Sequence, residues 1–257
     1  MISVLTPSVR PEGLNIVAKA LKNQTFKGYE WLIGSPKELM VSFLSNKAIF
    51  IIDPPKPEGY YLSLNRSYNK MIKRAKGDLI VSWQDFTYAN PDALEKFWFY
   101  FTHGYESAVI TGVGHKYKDE SWQEVVWRDP RVRDDLGTFY QCHFNDIEIN
   151  LASFPKKAFY AVGGFDEELD KWAGYDHISV QERLWGLRHQ GEPWDFYIDQ
   201  TQVTKSLPHG RLPHWEENLA MDGHYGQRKL DLVKDGKWPI LEFLQPSPRP
   251  PPQPEPH

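Results

Sequence analysis

Four short apolar runs in the N-terminal part of the chain, "ISVLTPS", "YEWLIGSP", "KAIFIIDPP" and "DLIVSW", restrict its fold more than any other feature. Each is too short for an ordinary helix and rich in β-branched or aromatic residues, and the first three are stopped by proline, so each reads as a buried strand. The segments between them have a different period. In "EGLNIVAKALKNQT", Leu14, Val17, Ala18 and Leu21 fall at i, i+3, i+4 and i+7. In "LNRSYNKMIKRAKG", Tyr68, Met71, Ile72 and Ala75 repeat that spacing, with Gly77 as the C-terminal stop. "NPDALEKFWFYF" places Asn90 as N-cap, Pro91 at the first helical position, and Leu94, Phe97, Trp98 and Phe101 on one face. Strands alternating with amphipathic helices predict an α/β fold with a mainly parallel sheet covered on both sides. Ligands in such sheets lie at the carboxyl ends of the strands, so the loops after Leu5, Ile33, Ile52 and Trp83 are the expected site.

The remainder is less regular. "SAVITGVGHKY" and "WQEVVWRD" read as strands, "RDPRVRDDLGT" as a mobile loop and "ISVQERLWGLRHQG" as a helix. The final "PSPRPPPQPEPH" has seven prolines in twelve residues, cannot build a core and is expected to be an extended, disordered tail, 246–257. The expected globular part is one domain, 1–245, in two halves, 1–104 and 105–245. Its net charge of −4 gives no global attraction to nucleic acid. One cysteine, Cys142, excludes an internal disulfide and a thiolate-rich zinc site. With no secretion signal and no apolar run long enough to span a bilayer, the sequence predicts a soluble, cytoplasmic protein of a bacterium or a virus-infected cell.

Two places carry candidate chemistry. Asp85 follows an apolar strand, where an aspartate can meet a diphosphate and a divalent cation, or can simply bond the following backbone. From Asn150 a denser stretch begins, "NLASFPKKAFYAVGGFDEELDKWAGYDHISVQERLWGLRHQG". Gly163 and Gly164 permit a tight bend and close backbone approach to a ligand, and Asp166, Glu167 and Asp176 bring carboxylates to a helix starting near Tyr175. Such a carboxylate can serve as a general base or as a helix cap.

Taken in order, "SVLTPSVRPEGLNIVAKALKNQTFKGYEWLIG", "LNRSYNKMIKRAKGDLIVSWQDFTYANPDAL" and "VGGFDEELDKWAGYDHISVQERL" resemble the A-type (GT-A) nucleotide-sugar glycosyltransferases, particularly family 2, over roughly the first 215 residues. "WAGYDH" is also similar to the "WGGED" segment of galactosyltransferases, with Tyr175 in place of the glutamate. The resemblance implies a Rossmann-like GT-A sheet with a smaller mixed region on the acceptor side, the half over 1–104 binding the nucleotide and the half over 105–245 serving acceptor and catalysis. It implies that Thr6, Pro7 and Arg10 hold the base and ribose, and that Ser35, Arg66, Asn69, Gln84, Asp85 and Gly164 complete the nucleotide-sugar site. Gly34 and Ser35 stand where the family has an acidic base-contacting residue. The family's Asp-X-Asp metal motif is reduced here to Gln84-Asp85-Phe86-Thr87, with one carboxylate whichever register is used. The implied cofactor is manganese or magnesium at Asp85 and His209, with His214 as the competing ligand and Arg211 on the diphosphate. Asp176 is the implied catalytic base, and Asp166, Trp172 and Tyr175 the implied acceptor or sugar contacts.

On this resemblance the chain is an inverting glycosyltransferase. Asp176 deprotonates an acceptor hydroxyl while it attacks the anomeric carbon of a UDP-sugar, and the cation stabilises the departing diphosphate. The acceptor is a glycan, a protein or a hydroxymethylated base of viral DNA. The last requires a basic surface, for which "KMIKRAK" and "RDPRVRDD" give only modest local charge. The alternative is a non-catalytic nucleotide-sugar or glycan-binding module on a degenerate transferase fold.

Overall fold

The computed structural model of the chain describes residues 1–36, 48–220 and 222–245; the proline-rich tail lies outside the described residues. The four expected strands form β1 (Ile2–Pro7), β2 (Tyr29–Ser35), β3 (Ala48–Ile52) and β4 (Leu79–Trp83), parallel and in the spatial order β3-β2-β1-β4. Their residues alternate between two cores. Ile2, Val4, Trp31, Ile33, Val81 and Trp83 face one side, while Leu5, Leu32 and Ile80 face the other. This period of two is what a sheet covered on both faces demands.

Helix α1 (Pro11–Lys22) covers the first face with Leu14, Val17, Ala18 and Leu21, as the spacing predicts. Pro11 opens it, where a missing N–H costs nothing, and Lys19 and Lys22 lie in its last turn. Helix α2 (Leu64–Arg74) covers the second face with Tyr68, Met71 and Ile72. Gly77 is not its left-handed stop. A Cβ there would lie 2.6 Å from the Ser3 backbone nitrogen, so the glycine permits close approach to β1.

Helix α3 (Ala93–Thr102) begins after the predicted Asn90–Pro91 start, because its cap is tertiary. The buried Gln24 at the end of α1 accepts from the Leu94 N–H at 3.0 Å and donates to the Asn90 carbonyl at 2.8 Å.

Beyond β4 the sheet becomes mixed. The order continues β4-β9-β6-β10-β5, with β9 (Leu151–Pro155) antiparallel between β4 and β6 (Ala108–Tyr117), and β10 (Asp195–Ser206) parallel to β6. The short β5 (Thr87–Ala89) and β8 (Phe139–Gln141) pair antiparallel with β10, and β7 (Val125–Trp127) pairs with β6. Helices α4 (Lys156–Ala161) and α5 (Asp176–His189) complete the second face, and α6 (Asp222–Lys234) follows. The segment read as a mobile loop is anchored: buried Asp129 accepts from the Gly114 N–H at 2.8 Å, and Arg131 donates to the Asp146 carbonyl at 2.7 Å. No helix among the described residues is long and apolar enough to cross a membrane.

Candidate functional site

The parallel strands deliver Ser8 and Arg10 after β1, and Gln84 and Asp85 after β4, to one end of the sheet. Asp85 is buried there. Its Oδ2 accepts from the Ser8 hydroxyl at 2.6 Å and Arg10 Nε at 3.0 Å, and its Oδ1 accepts from Arg10 Nη2 at 2.8 Å. This two-point grip fixes the guanidinium plane. The other end of Arg10 meets the chain much later: Nη1 contacts His209 Nδ1 at 2.7 Å and donates to the Gly210 carbonyl at 3.2 Å. A guanidinium cannot accept, so Nδ1 is the unprotonated nitrogen of His209.

Phe86 supports this assembly. Its ring lies 5.2 Å from the Arg10 guanidinium and 5.1 Å from the His209 ring. Its φ is +59°, rare for a bulky side chain, and its N–H reaches the Gly13 carbonyl at 3.3 Å. Gly13 lets α1 come this close, since a Cβ there would stand 2.9 Å from Asp85 Cβ.

Asp176 is the first residue of α5, where the helix dipole favours a carboxylate. The preceding Tyr175 is left-handed, with φ +59°. Thus a strained non-glycine residue flanks each of the two aspartates, a pattern associated with functional sites. Burial raises the Asp176 pKa, but His177, its Nδ1 3.4 Å away, more than offsets this and leaves the carboxyl below its usual range. The two carboxylates share a neighbour: Tyr68, bonded to Ser82 at 2.9 Å, holds its proton more tightly through burial first and then through the charges of both Asp176 and Asp85. A cavity of about 170 Å³, lined by neither aspartate, opens between β6, β10 and the Glu148–Leu151 segment, whose Asn150 carbonyl accepts the Gln84 N–H at 3.0 Å.

Most other expected site residues have partners within the fold. Thr6 is fully buried and accepts from Trp31 Nε1 at 2.9 Å; Pro7 ends β1; Ser35 is buried at the end of β2. Arg66 donates to Asp170 Oδ2 and to the Glu167 carbonyl, each at 3.0 Å. Asn69 bonds both the Phe165 carbonyl, at 3.0 Å, and its N–H, at 2.8 Å, so these two side chains fasten the segment after Gly164 to α2. The Gly163–Gly164 bend, with φ of +70° and +87°, makes its close backbone approach to the chain's own C-terminal segment: Leu241 and Leu244 N–H groups bond the Val162 and Gly163 carbonyls. Asp166 caps Glu168 and pairs with Arg228 at 2.9 Å. Trp172 stacks on His224 and Tyr175 on Tyr225, both on α6. Arg211 pairs with Glu216, and His214 with Glu217, on the exposed surface. Of the two candidate histidines, His209 is therefore the one that meets Arg10, the partner of Asp85.

Ser8 was not singled out by the sequence, although a hydroxyl directly after a strand-ending threonine-proline is a recognisable turn signal. Asp53 was also missed. It follows β3, its N–H donates to the Ser35 carbonyl at 2.7 Å, and burial pushes its carboxyl up to about 6 despite nearby Lys70. It stands next to the strand end where Gly34 and Ser35 lack a carboxylate, and its signal, an aspartate closing an apolar run, matches that of Asp85.

The donor set does not fit the expected manganese or magnesium at Asp85 and His209. Three donors occupy the Asp85 oxygens and a fourth takes the His209 Nδ1 lone pair. No cluster of three histidine, cysteine, aspartate or glutamate side chains suited to a metal ion occurs among the described residues. Hard divalent cations take several oxygen ligands, and one carboxylate already holding three donors does not supply them.

No protein-family model matches the sequence, and no curated protein matches it. Solved structures do. The chain is similar to GalNAc-T7, whose crystal structure contains UDP, GalNAc and Mn2+, with a TM-score of 0.56 and 11% identity over 84% of this chain and 45% of that one. It is similar to S. aureus TarS, with a TM-score of 0.55 and 11% identity over 80% of this chain and 36% of TarS. A TarS 1-349 structure in complex with UDP gives 0.54 and 11% over 80% of this chain and 60% of that one. The chain thus spans less than half of the first two proteins it matches. At this identity the likeness concerns architecture: the chain has the GT-A fold, with a central sheet of ten strands among the described residues, flanked by helices.

Proposed function

We propose that this chain is a nucleotide-sugar glycosyltransferase whose donor diphosphate lies against Arg10 and Asp85 and whose catalytic base is Asp176. The observation that carries this reading is that Asp85, just past the carboxyl end of β4, and Asp176, at the start of α5, both act on the buried Tyr68, and each stands beside a strained residue. Fold alone would not support an activity, but the site chemistry adds to it.

In this reading the donor is a nucleoside diphosphate sugar, with UDP-sugars first because two fold neighbours contain UDP. Asp53 is the carboxylate available to the base. The acceptor enters through the cavity beside Asn150 and presents a hydroxyl to Asp176. That carboxylate is ionised at neutral pH, so it can take the hydroxyl proton as the oxygen attacks the anomeric carbon. The C–O bond to the diphosphate breaks on the opposite face and configuration inverts. Arg10, oriented by Asp85, faces the charge that builds on the leaving group.

A panel of nucleotide sugars scored by thermal stabilisation tests the reading. One or more nucleoside diphosphate sugars are expected to raise the Tm, and Asp176→Asn is expected to keep that shift while transfer is lost. Stabilisation without any donor cleavage by the unmodified chain would favour the non-catalytic binding module.

A further inference from the structure

We infer that Arg10 is the protein's built-in substitute for a divalent cation, so that diphosphate binding does not require metal. The inference rests on the transferase reading and goes beyond it, because both the family resemblance and the GalNAc-T7 structure would suggest a metal.

Asp85 and His209, the expected metal ligands, do converge, and what they converge on is the guanidinium of Arg10. The substitutions around them suit an arginine better than a metal. In one register Phe86 occupies the place of the second carboxylate, and a ring 5.2 Å from a guanidinium supports a planar cation while offering nothing to a hard metal ion. Ser8 adds a 2.6 Å hydrogen bond to Asp85 Oδ2, beside the arginine's own. One carboxylate thus balances one arginine.

The guanidinium has five N–H groups. Nε and one N–H of Nη2 are gripped by buried Asp85, which fixes the side chain. Among the described residues, the two on Nη1 meet His209 Nδ1 and the Gly210 carbonyl, both on an exposed loop. These neutral acceptors are weaker partners than phosphate oxygens, which form charge-assisted bonds to arginine. The diphosphate displaces the His209–Gly210 loop from Nη1, while Asp85 keeps its hold on the other edge. Asp85 is then a positioning residue that acts through Arg10.

The test compares UDP with UMP binding by calorimetry to the full chain in EDTA and in manganese. A second nucleoside diphosphate and monophosphate pair serves if the base is not uracil. The unmodified protein is expected to bind the diphosphate equally tightly in both. Arg10→Ala is expected to weaken the diphosphate by roughly ten- to a hundredfold, the size of a lost charge-assisted hydrogen bond, with the monophosphate changed much less. Arg10→Lys, which keeps the charge and loses the fork, is expected to fall between them, and a thermal melt establishes that each variant is folded. Manganese added to Arg10→Ala, where Asp85 and His209 are released, is expected to restore part of the affinity. Diphosphate binding that collapses in EDTA, or an Arg10→Ala variant with an unchanged diphosphate-to-monophosphate ratio, would overturn the inference while leaving the transferase reading intact. Failure of every nucleoside diphosphate to bind the unmodified protein would overturn both.

Discussion

Gly13 sets how closely α1 approaches the Asp85–Phe86 turn, and its replacement separates tertiary fit from helix propensity. In an exposed helix, alanine for glycine stabilises by about 1 kcal/mol. Here the added Cβ meets Phe86 and stands 2.9 Å from Asp85 Cβ, both held by other bonds. Gly13→Ala is therefore expected to destabilise the chain by about 1–3 kcal/mol in denaturant melts, as overpacking does. His177 gives a pH-dependent prediction at the same scale. Burial lowers its pKa, but Asp176 and then Glu148 more than offset this, so the folded value lies above the ordinary one. The imidazolium's contribution to stability is then complete below about pH 6.5 and is lost as pH rises through the folded value. His177→Gln is expected to flatten the stability profile across that window, and a profile of unchanged slope would refute the pairing. Asp85 and Asp176 were legible as candidates because one ends an apolar run and the other begins a helical period. The engagement of Arg10 with both Asp85 and His209 was not legible, since it joins residues 199 apart in sequence.

At the scale of elements, the "GGFDE" segment is a structural clamp next to the proposed base. Its Gly163–Gly164 bend is stitched to Leu241 and Leu244 by backbone bonds, and buried Arg183 donates to the Val162 and Gly164 carbonyls. Arg66, Asn69 and Arg228 tie the following turn to α2 and α6. Leu244 is wholly buried in the same core as residues of α2 and α5 and packs against the Gly164 backbone, where an added Cβ would stand 2.9 Å from its own. Leu244→Ala is expected to cost about 2–5 kcal/mol in thermal or denaturant melts, and to lower Asp176-dependent activity by loosening the start of α5. The four parallel strands and the helices between them could be read from period alone because each buries a regular face. The α3 start was misplaced for a physical reason: Gln24, distant in sequence, supplies the cap that Asn90 was expected to give.

Across the whole molecule, the sheet divides into a parallel half that presents Ser8, Arg10, Asp53 and Asp85, and a mixed half that brings in the 148–151 segment and the cavity beside it. The first half was visible in sequence. The second was harder to read because β5, β7 and β8 have three residues each, and β10 is broken by a bulge between Asp199 and Val203 that shifts its alternation. The central claim, that the two halves form one transfer site, is tested most directly by following nucleoside diphosphate release from a panel of nucleotide sugars without acceptor, for the unmodified chain and for Asp176→Asn. The account predicts slow release from at least one donor, and an Asp176→Asn variant that binds this donor with unchanged affinity yet releases none. Release by the variant at the unmodified rate, or no binding of any nucleotide sugar by either protein, would contradict it.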